Sequence, residues 1–459
     1  MKFGGSAVGT TTALTQVVSI VLQEHERWDQ VLLVASALEG VTDALLEAAH
    51  LAKLDNRRGY RRIVATIRTR HLALVDQLPL NANERSALHA DIDRLLFDML
   101  DTCQTLAQPT MEEANTLETI DSVISTGERI AARIIAALIR SNGLRGVAID
   151  TTEIIITDDN FSDAKPDMDE TCQRLHDYLS PMLERGIIPV LTGFIGATPK
   201  GKTTTMGRGG SDYTAAIVGV CTGSQEVWMW ADVDGMMSTD PREIIEAKVI
   251  PQLSYDEIAE LAYFGARIVH PRMIGLVRQR QIPVRIKNVY KPQQTGTMVC
   301  AEAKSEQMVK AVTSIRGIGF MANSSGPLSE IQAFIHETMK RVLGSAADVT
   351  IYAQSSTRTF LCVVIPTPAG PNAADTMFQA FEQTLEETSS LQHWSITPVS
   401  IITVIGDTSG QHSLGHIFTA LNDLRILAIS QGPGYCSLSV VVTLEDSREA
   451  LQYLHDLTR

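Results

Sequence analysis

Short apolar runs alternate with helix-patterned segments through the first part of the chain. Val31-Leu32-Leu33-Val34-Ala35-Ser36 is apolar and ends in a small polar residue, as a parallel strand buried on both faces would. Similar runs recur at Val147–Asp150, Ile187–Thr192, Val227–Ala231 and Pro283–Ile286. Between them, helical patterns cover Ala13–His25, Glu128–Ser141, Met168–Glu184, Asp212–Val220 and Asp256–Phe264. This alternation predicts an α/β domain whose mostly parallel central sheet is sandwiched by helices. In such sheets ligands sit beyond the carboxyl ends of the strands, where short loops lead into helix N-termini.

Residues 43–118 depart from the alternation. They favour helix throughout, with Gly59 and Pro79 as the main breaks, and read as a helical insertion between two strands. Lys291-Pro292-Gln293-Gln294-Thr295-Gly296-Thr297 is turn-rich and marks a boundary, closing a first domain at 1–295. Beyond it the pattern repeats. One copy runs from the strand Ile315–Phe320 through the helix Ser329–Val342, the strands Val349–Ala353 and Phe360–Ile365, and the helix Ala373–Leu385. The other runs from Ser400–Ile405 through Leu414–Leu424, Ile426–Ile429 and Ser437–Thr443 to Ser447–Leu457. These are two ferredoxin-like modules, expected over 305–390 and 395–459, each an antiparallel sheet with helices on one face.

Composition narrows the classes. With 459 residues, about three domains of ~150 are expected. A net charge of −14 lacks the footprint of a nucleic-acid binder. No apolar run approaches the ~20 residues of a membrane span, and Met1-Lys2-Phe3-Gly4-Gly5 has no signal-peptide character, so a cytoplasmic protein is expected. Cys103, Cys172, Cys221, Cys300, Cys362 and Cys436 form no CxxC pair and read as small buried hydrophobes in a reducing compartment. No metal site is expected from the protein side chains, and zinc catalysis is disfavoured. GxxxxGK[ST], a GxGxxG following a strand, and the protein-kinase signatures are all absent.

The chemistry concentrates in a few stretches. In Lys2-Phe3-Gly4-Gly5-Ser6, two glycines would let backbone amides approach a phosphate beside a lysine, although a simple glycine turn reads the same way. Thr203-Thr204-Thr205-Met206-Gly207-Arg208-Gly209-Gly210-Ser211-Asp212 leads straight into an apolar helix. Free amides, the helix dipole and the Arg208 fork together suit an anion, with Asp212 open to a plain N-cap role. Ala231-Asp232-Val233-Asp234-Gly235 follows a strand and could orient a ribose, a lysine or hydrated Mg²⁺, or simply turn. Glu128, in Ser125-Thr126-Gly127-Glu128-Arg129, either matches the helix dipole or holds a substrate ammonium. His270-Pro271, after Arg267, is expected to close a helix.

Together these residues resemble the aspartate kinases, a branch of the amino-acid kinase family. The likeness rests on Lys2-Phe3-Gly4-Gly5, Ser36 with Gly40-Val41-Thr42, Gly127-Glu128, Gly193-Phe194-Ile195-Gly196 and Thr203 to Asp212. It continues through Trp230 to Gly235, Thr239-Asp240-Pro241-Arg242 and Phe264 to Pro271. It implies an amino-acid kinase domain followed by paired ACT regulatory modules, and phosphorylation of the L-aspartate side-chain carboxylate by ATP with Mg²⁺. By the resemblance, Lys2 and Asp212 are catalytic, while Ser36, Thr42, Glu128, Arg208 and Ser211 bind aspartate. Lys2, Gly4, Gly5, Ala231, Asp232, Met237, Arg242 and Arg267 face the nucleotide. It also implies a lysine or threonine effector at the ACT modules and a homodimer or higher homo-oligomer joined there. Four departures stand out: Lys2 follows directly on Met1, so the first strand looks clipped; Ala231 replaces a hydroxyl residue, Met237 a tyrosine and Arg267 a lysine. A kinase for another small acceptor and a non-catalytic amino-acid sensor are the competing readings.

Overall fold

The computed structural model describes residues 1–108, 113–265, 269–303, 307–323, 328–343, 349–365 and 373–459. In chain order the strands of the first part are β1 (Lys2–Phe3), β2 (Leu33–Ala35), β3 (Arg145–Ile149), β4 (Ile187–Thr192), β5 (Ile195–Ala197), β6 (Thr203–Thr205), β7 (Val227–Ala231), β8 (Gln252–Ser254), β9 (Val284–Asn288) and β10 (Thr297–Cys300). The chain forms two compact units, one of Met1–Met236 with Val269–Ala301 and one of Met237–Ile268 with Glu302–Arg459.

In the first unit the sheet runs β3-β4-β2-β1-β7-β9-β10. It is parallel from β3 to β9, and β10 folds back antiparallel on β9. The sequence-predicted strands fall within two residues of these bounds; the runs of β2, β4, β7 and β9 are largely buried, whereas β3 at the sheet edge leaves Val147 exposed. The shortest strand, β1, lies between β2 and β7 with Phe3 fully buried and stacked on Trp230.

The insertion folds as the helices Val41–Lys53, Arg57–Gln77, Ala82–Leu106 and Glu113–Ile124. Leu45, Ile67, Val75, Ile92 and Met99 join it to the core beside β1 and β2. Gly59 is not a break: it lies in the first turn of Arg57–Gln77, where its N–H donates to the Asn56 side chain. The breaks fall just before Asn56 and Asn81, both of which cap the helices that follow.

Cys172 and Cys221 correct the reading of every cysteine as a thiol. They form a disulfide with Cα atoms 4.6 Å apart, linking the helices Met168–Glu184 and Gly210–Cys221. Their sequence separation of 49 hides this pairing, because helix packing and not spacing brings them together. Cys103 and Cys362 are buried thiols as expected.

The second unit contains β8 and a six-stranded antiparallel sheet of β11 (Val309–Ala322), β12 (Val349–Gln354), β13 (Thr359–Val364), β14 (Trp394–Gly406), β15 (Ala428–Gln431) and β16 (Ser437–Thr443), ordered β12-β13-β11-β14-β16-β15. Each copy of the repeat supplies three strands, and β11 pairs with β14 along nearly its whole length. Each long strand thereby completes the other copy's module as its fourth strand. Helices Ser329–Leu343 and Ala373–Glu387 pack on one half of the sheet, Gln411–Ala420 and Ser447–Asp456 on the other.

Lys310 of β11 holds Glu257 at 2.8 Å, and both are over nine-tenths buried. Glu257 also closes a capping box with Ser254. Lys310→Met strands a buried carboxylate and is expected to lower stability by about 3–5 kcal/mol in urea unfolding. Adding Glu257→Gln is expected to recover most of that loss.

Candidate functional site

Three carboxyl ends, those of β1, β2 and β7, meet the N-terminus of Gly210–Cys221. Lys2 Nζ lies 2.6 Å from Asp212 Oδ1, with the side chains only 12% and 13% exposed. Asp212 sits within the first helical turn and is not the N-cap; that position belongs to Gly209, in a left-handed conformation at φ 71°. The helix therefore begins without a side-chain cap, and Asp212 is released to pair with Lys2.

Close backbone approach explains three glycines. A Cβ on Gly193 would lie 2.8 Å from Ser211 Cβ, so the end of β4 touches the helix entry directly. A Cβ on Gly209 would enter the His270 ring, and one on Gly210 would meet Phe194. His270 does not close a helix, as its sequence context suggested. It caps the helix Pro271–Gln279, accepting the Arg272 N–H. Pro271 at the first helical position explains the reversal, since a missing N–H is harmless there.

Glu128 occupies the first turn of the helix Thr126–Ser141 and is 2% exposed. Its Oε1 accepts the Ala37 N–H at 3.2 Å, while Oε2 is buried without a partner. Burial pushes the carboxyl up to about 8 against weaker opposing pulls from the Ala37 amide, Arg129 and Lys2. Ser36 is buried one residue before Ala37, and its N–H donates to the Phe3 carbonyl. Thr42 lies half-buried in the first turn of Val41–Lys53, entered through the left-handed Gly40.

Arg208 is exposed on the loop between β6 and the helix. A residue that sequence reasoning missed fastens the loop's base. Fully buried Asp121 accepts the N–H and hydroxyl of both Ser162 and Thr205 at 2.8–2.9 Å. It stands in the 12-residue helix Glu113–Ile124, and its partners lie 41 and 84 residues away, so no local signal marks it.

Toward β7, the Ser6 hydroxyl donates to Asp232 Oδ1 at 3.0 Å, tying the Gly4-Gly5 turn to the strand end. The Gly4 N–H donates to the Trp230 carbonyl, and Ala231 is the last residue of β7. Asp234 is engaged by Lys291 and Asn288. Met237 and Arg242 belong to the second unit, where Arg242 is exposed and paired with Asp240 at 2.6 Å. Arg267 lies outside the described residues. The structure thus gathers Lys2, Gly4, Gly5, Ser36, Glu128, Ser211, Asp212 and Asp232 around one end of the first unit's sheet.

No cluster of three His, Cys, Asp or Glu suited to a metal occurs among the described residues. The expectation that the histidines lack HxxxH spacing is corrected by His412 and His416, which meet at 3.1 Å on the second unit's helix Gln411–Ala420 with no third ligand among the described residues.

The Glu128 titration has a measurable consequence. Between its ordinary value of 4.5 and about 8, the folded chain holds a proton that the unfolded chain has lost. This residue therefore makes stability fall as pH rises across that window. Glu128→Gln is expected to flatten that part of a stability–pH curve and to be at least as stable as the parent above pH 8.

The profile of the amino acid kinase family matches residues 1–288. Lysine-sensitive aspartokinase 3 of Escherichia coli (strain K12) is 27% identical over 459 residues, covering 99% of this chain and 97% of that protein. The chloroplastic bifunctional aspartokinase/homoserine dehydrogenase 2 of Arabidopsis thaliana is 28% identical over 99% of this chain, which spans about half (50%) of that protein's length. Among solved structures, E. coli aspartokinase III with lysine and aspartate superposes at a TM-score of 0.80, with 26% identity over 99% of this chain and 98% of that one. The same enzyme with aspartate and ADP gives 0.76 at 26% identity and the same coverage. With more than half of its length matched, this chain belongs to the amino acid kinase family.

Proposed function

We propose that this chain is an aspartate kinase, transferring the γ-phosphoryl of ATP to the side-chain carboxylate of L-aspartate to give 4-phospho-L-aspartate and ADP. The observation that carries the reading is Glu128 Oε2, a buried acceptor without a partner in a site whose other fixed feature is the Lys2–Asp212 pair. A substrate ammonium would satisfy that oxygen. The crystallised E. coli relative holds aspartate and ADP.

The reaction brings two anions together: a carboxylate oxygen bonds to the γ-phosphorus while the bond to the β-phosphate oxygen breaks and ADP departs. Little proton transfer is needed, so positioning and charge neutralisation dominate. Lys2, oriented by Asp212, sits where it can neutralise the transferred group. The Gly4-Gly5 turn brings backbone to the same place, and a Cβ on Gly5 would lie 3.0 Å from the Ala37 carbonyl, so the close approach there favours glycine. Arg208 clamps the α-carboxylate, with Ser36, Thr42 and Ser211 lining the pocket. Asp232 and Ala231 serve the nucleotide. Mg²⁺ would be held mainly by the nucleotide phosphates, in keeping with its reluctance to dehydrate.

The paired modules of the second unit support feedback control, and lysine is the favoured effector because the E. coli relative is lysine-sensitive and crystallises with lysine. We assign the catalytic domain to 1–295 and the ACT modules to 305–390 and 395–459, and we expect a homodimer joined through the ACT modules.

An ADP-release assay over aspartate, glutamate, N-acetylglutamate and carbamate tests the assignment; turnover confined to another acceptor, or none at all, overturns it. Arg208→Ala is expected to raise the KM for aspartate about 10- to 100-fold, from loss of ~1.5–3 kcal/mol of charged hydrogen bonding. Glu128 must ionise to hold an ammonium. The KM should therefore rise as pH falls below about 8, by up to about tenfold per unit, a slope that Glu128→Gln abolishes.

A further inference from the structure

On the first unit's sheet, away from the strand ends that carry Lys2 and Asp232, a cavity of about 530 Å³ is lined by Arg27, Trp28, Gln225, Trp228, Arg285 and Lys287 among others. The register pairs Trp228 with Arg285 and Trp230 with Lys287, so all four project from one face. Three of the chain's four tryptophans meet here: Trp28 and Trp228 edge-to-face at 6.1 Å, and Trp228 against Trp230 at 5.9 Å.

Of the charged residues that line this cavity, the exposed Asp29 and the buried Lys287 make no ion pair among the described residues. Glu24 accepts from Arg27 and from the Trp28 indole at 3.1 Å. Glu226 accepts from Arg285 at 3.2 Å and from the Trp228 indole at 2.6 Å. Lys287 is 9% exposed, and among the described residues its ammonium makes no hydrogen bond or ion pair. Its Nζ rests over the rings of Trp228 and Trp230, 5.0 and 5.1 Å from their centroids. Burial pulls its pKa down. An ammonium so desolvated is stabilised most by an anion, and the cavity is within the size range of small-molecule sites.

We propose that this cavity is a second ligand site, binding a small organic anion whose carboxylate or phosphate pairs with Lys287 while a flat apolar body lies against Trp228. Neither the phosphoryl-transfer reading nor its residues are involved. A free inorganic ion would leave the tryptophan wall uncovered, which favours a ligand with a ring.

Tryptophan fluorescence of the full chain tests this with benzoate, phenyl phosphate, inorganic phosphate and neutral benzamide as probes. A saturable change with benzoate or phenyl phosphate is expected, and the stronger of the two identifies the head group. Benzamide and inorganic phosphate are expected to bind at least about tenfold more weakly. Lys287→Met, which removes a buried charge and should fold, is expected to weaken the better probe at least about tenfold, while Lys287→Arg stays within about threefold. The proposal is overturned if neither ringed anion gives saturation below about 10 mM, if benzamide matches them, or if Lys287→Met binds as the parent does.

Discussion

Lys2 and Asp212 form a largely buried ion pair 2.6 Å apart, and most of the site's construction serves to hold it. In a chain of net charge −14, a buried cation has to be placed individually. Lys2 is held by the central strand, with neighbours on both sides, and Asp212 by the first turn of a buried helix. In that partly excluded environment the pair interacts more strongly than in water, and neither charge can move far without leaving its partner uncompensated.

Holding the pair requires the surrounding backbone to touch. Gly193, Gly209 and Gly210 stand where a side chain would collide with Ser211, His270 and Phe194, so the end of β4, the entry of the helix and the cap of the next helix share one small volume. Asp121 fastens the base of the same loop through four hydrogen bonds from Ser162 and Thr205. Glu128 is the exception to this satisfaction, with one oxygen bonded and one not. A buried polar atom left unpaired is costly, and it persists where a ligand completes it.

The second unit applies a related economy to its sheet. Each copy of the repeat has three strands and would expose the edge of its first strand. Pairing β11 with β14 removes both exposed edges at once and lets each copy complete the other. The sequence signals the repeat, but the exchange depends on two strands of 14 and 13 residues running antiparallel in one register.

Local patterning was enough for the elements. Parallel strands buried on both faces are continuous apolar runs, flanking helices carry a repeating apolar face, and glycine-rich loops announce themselves by composition. Lys2, Glu128 and Asp212 could be singled out in the sequence only beside ordinary turn, dipole and capping readings; the structure brings these three to one end of the sheet, while Arg208 is exposed on its loop. Tertiary structure alone decided the rest: the Cys172–Cys221 bond, the bracing role of Asp121, the capping role of His270 and the lone charge of Lys287 among the tryptophans. Each depends on residues far apart in the chain, and each rests on burial, which turns an ordinary polar side chain into one whose partners matter.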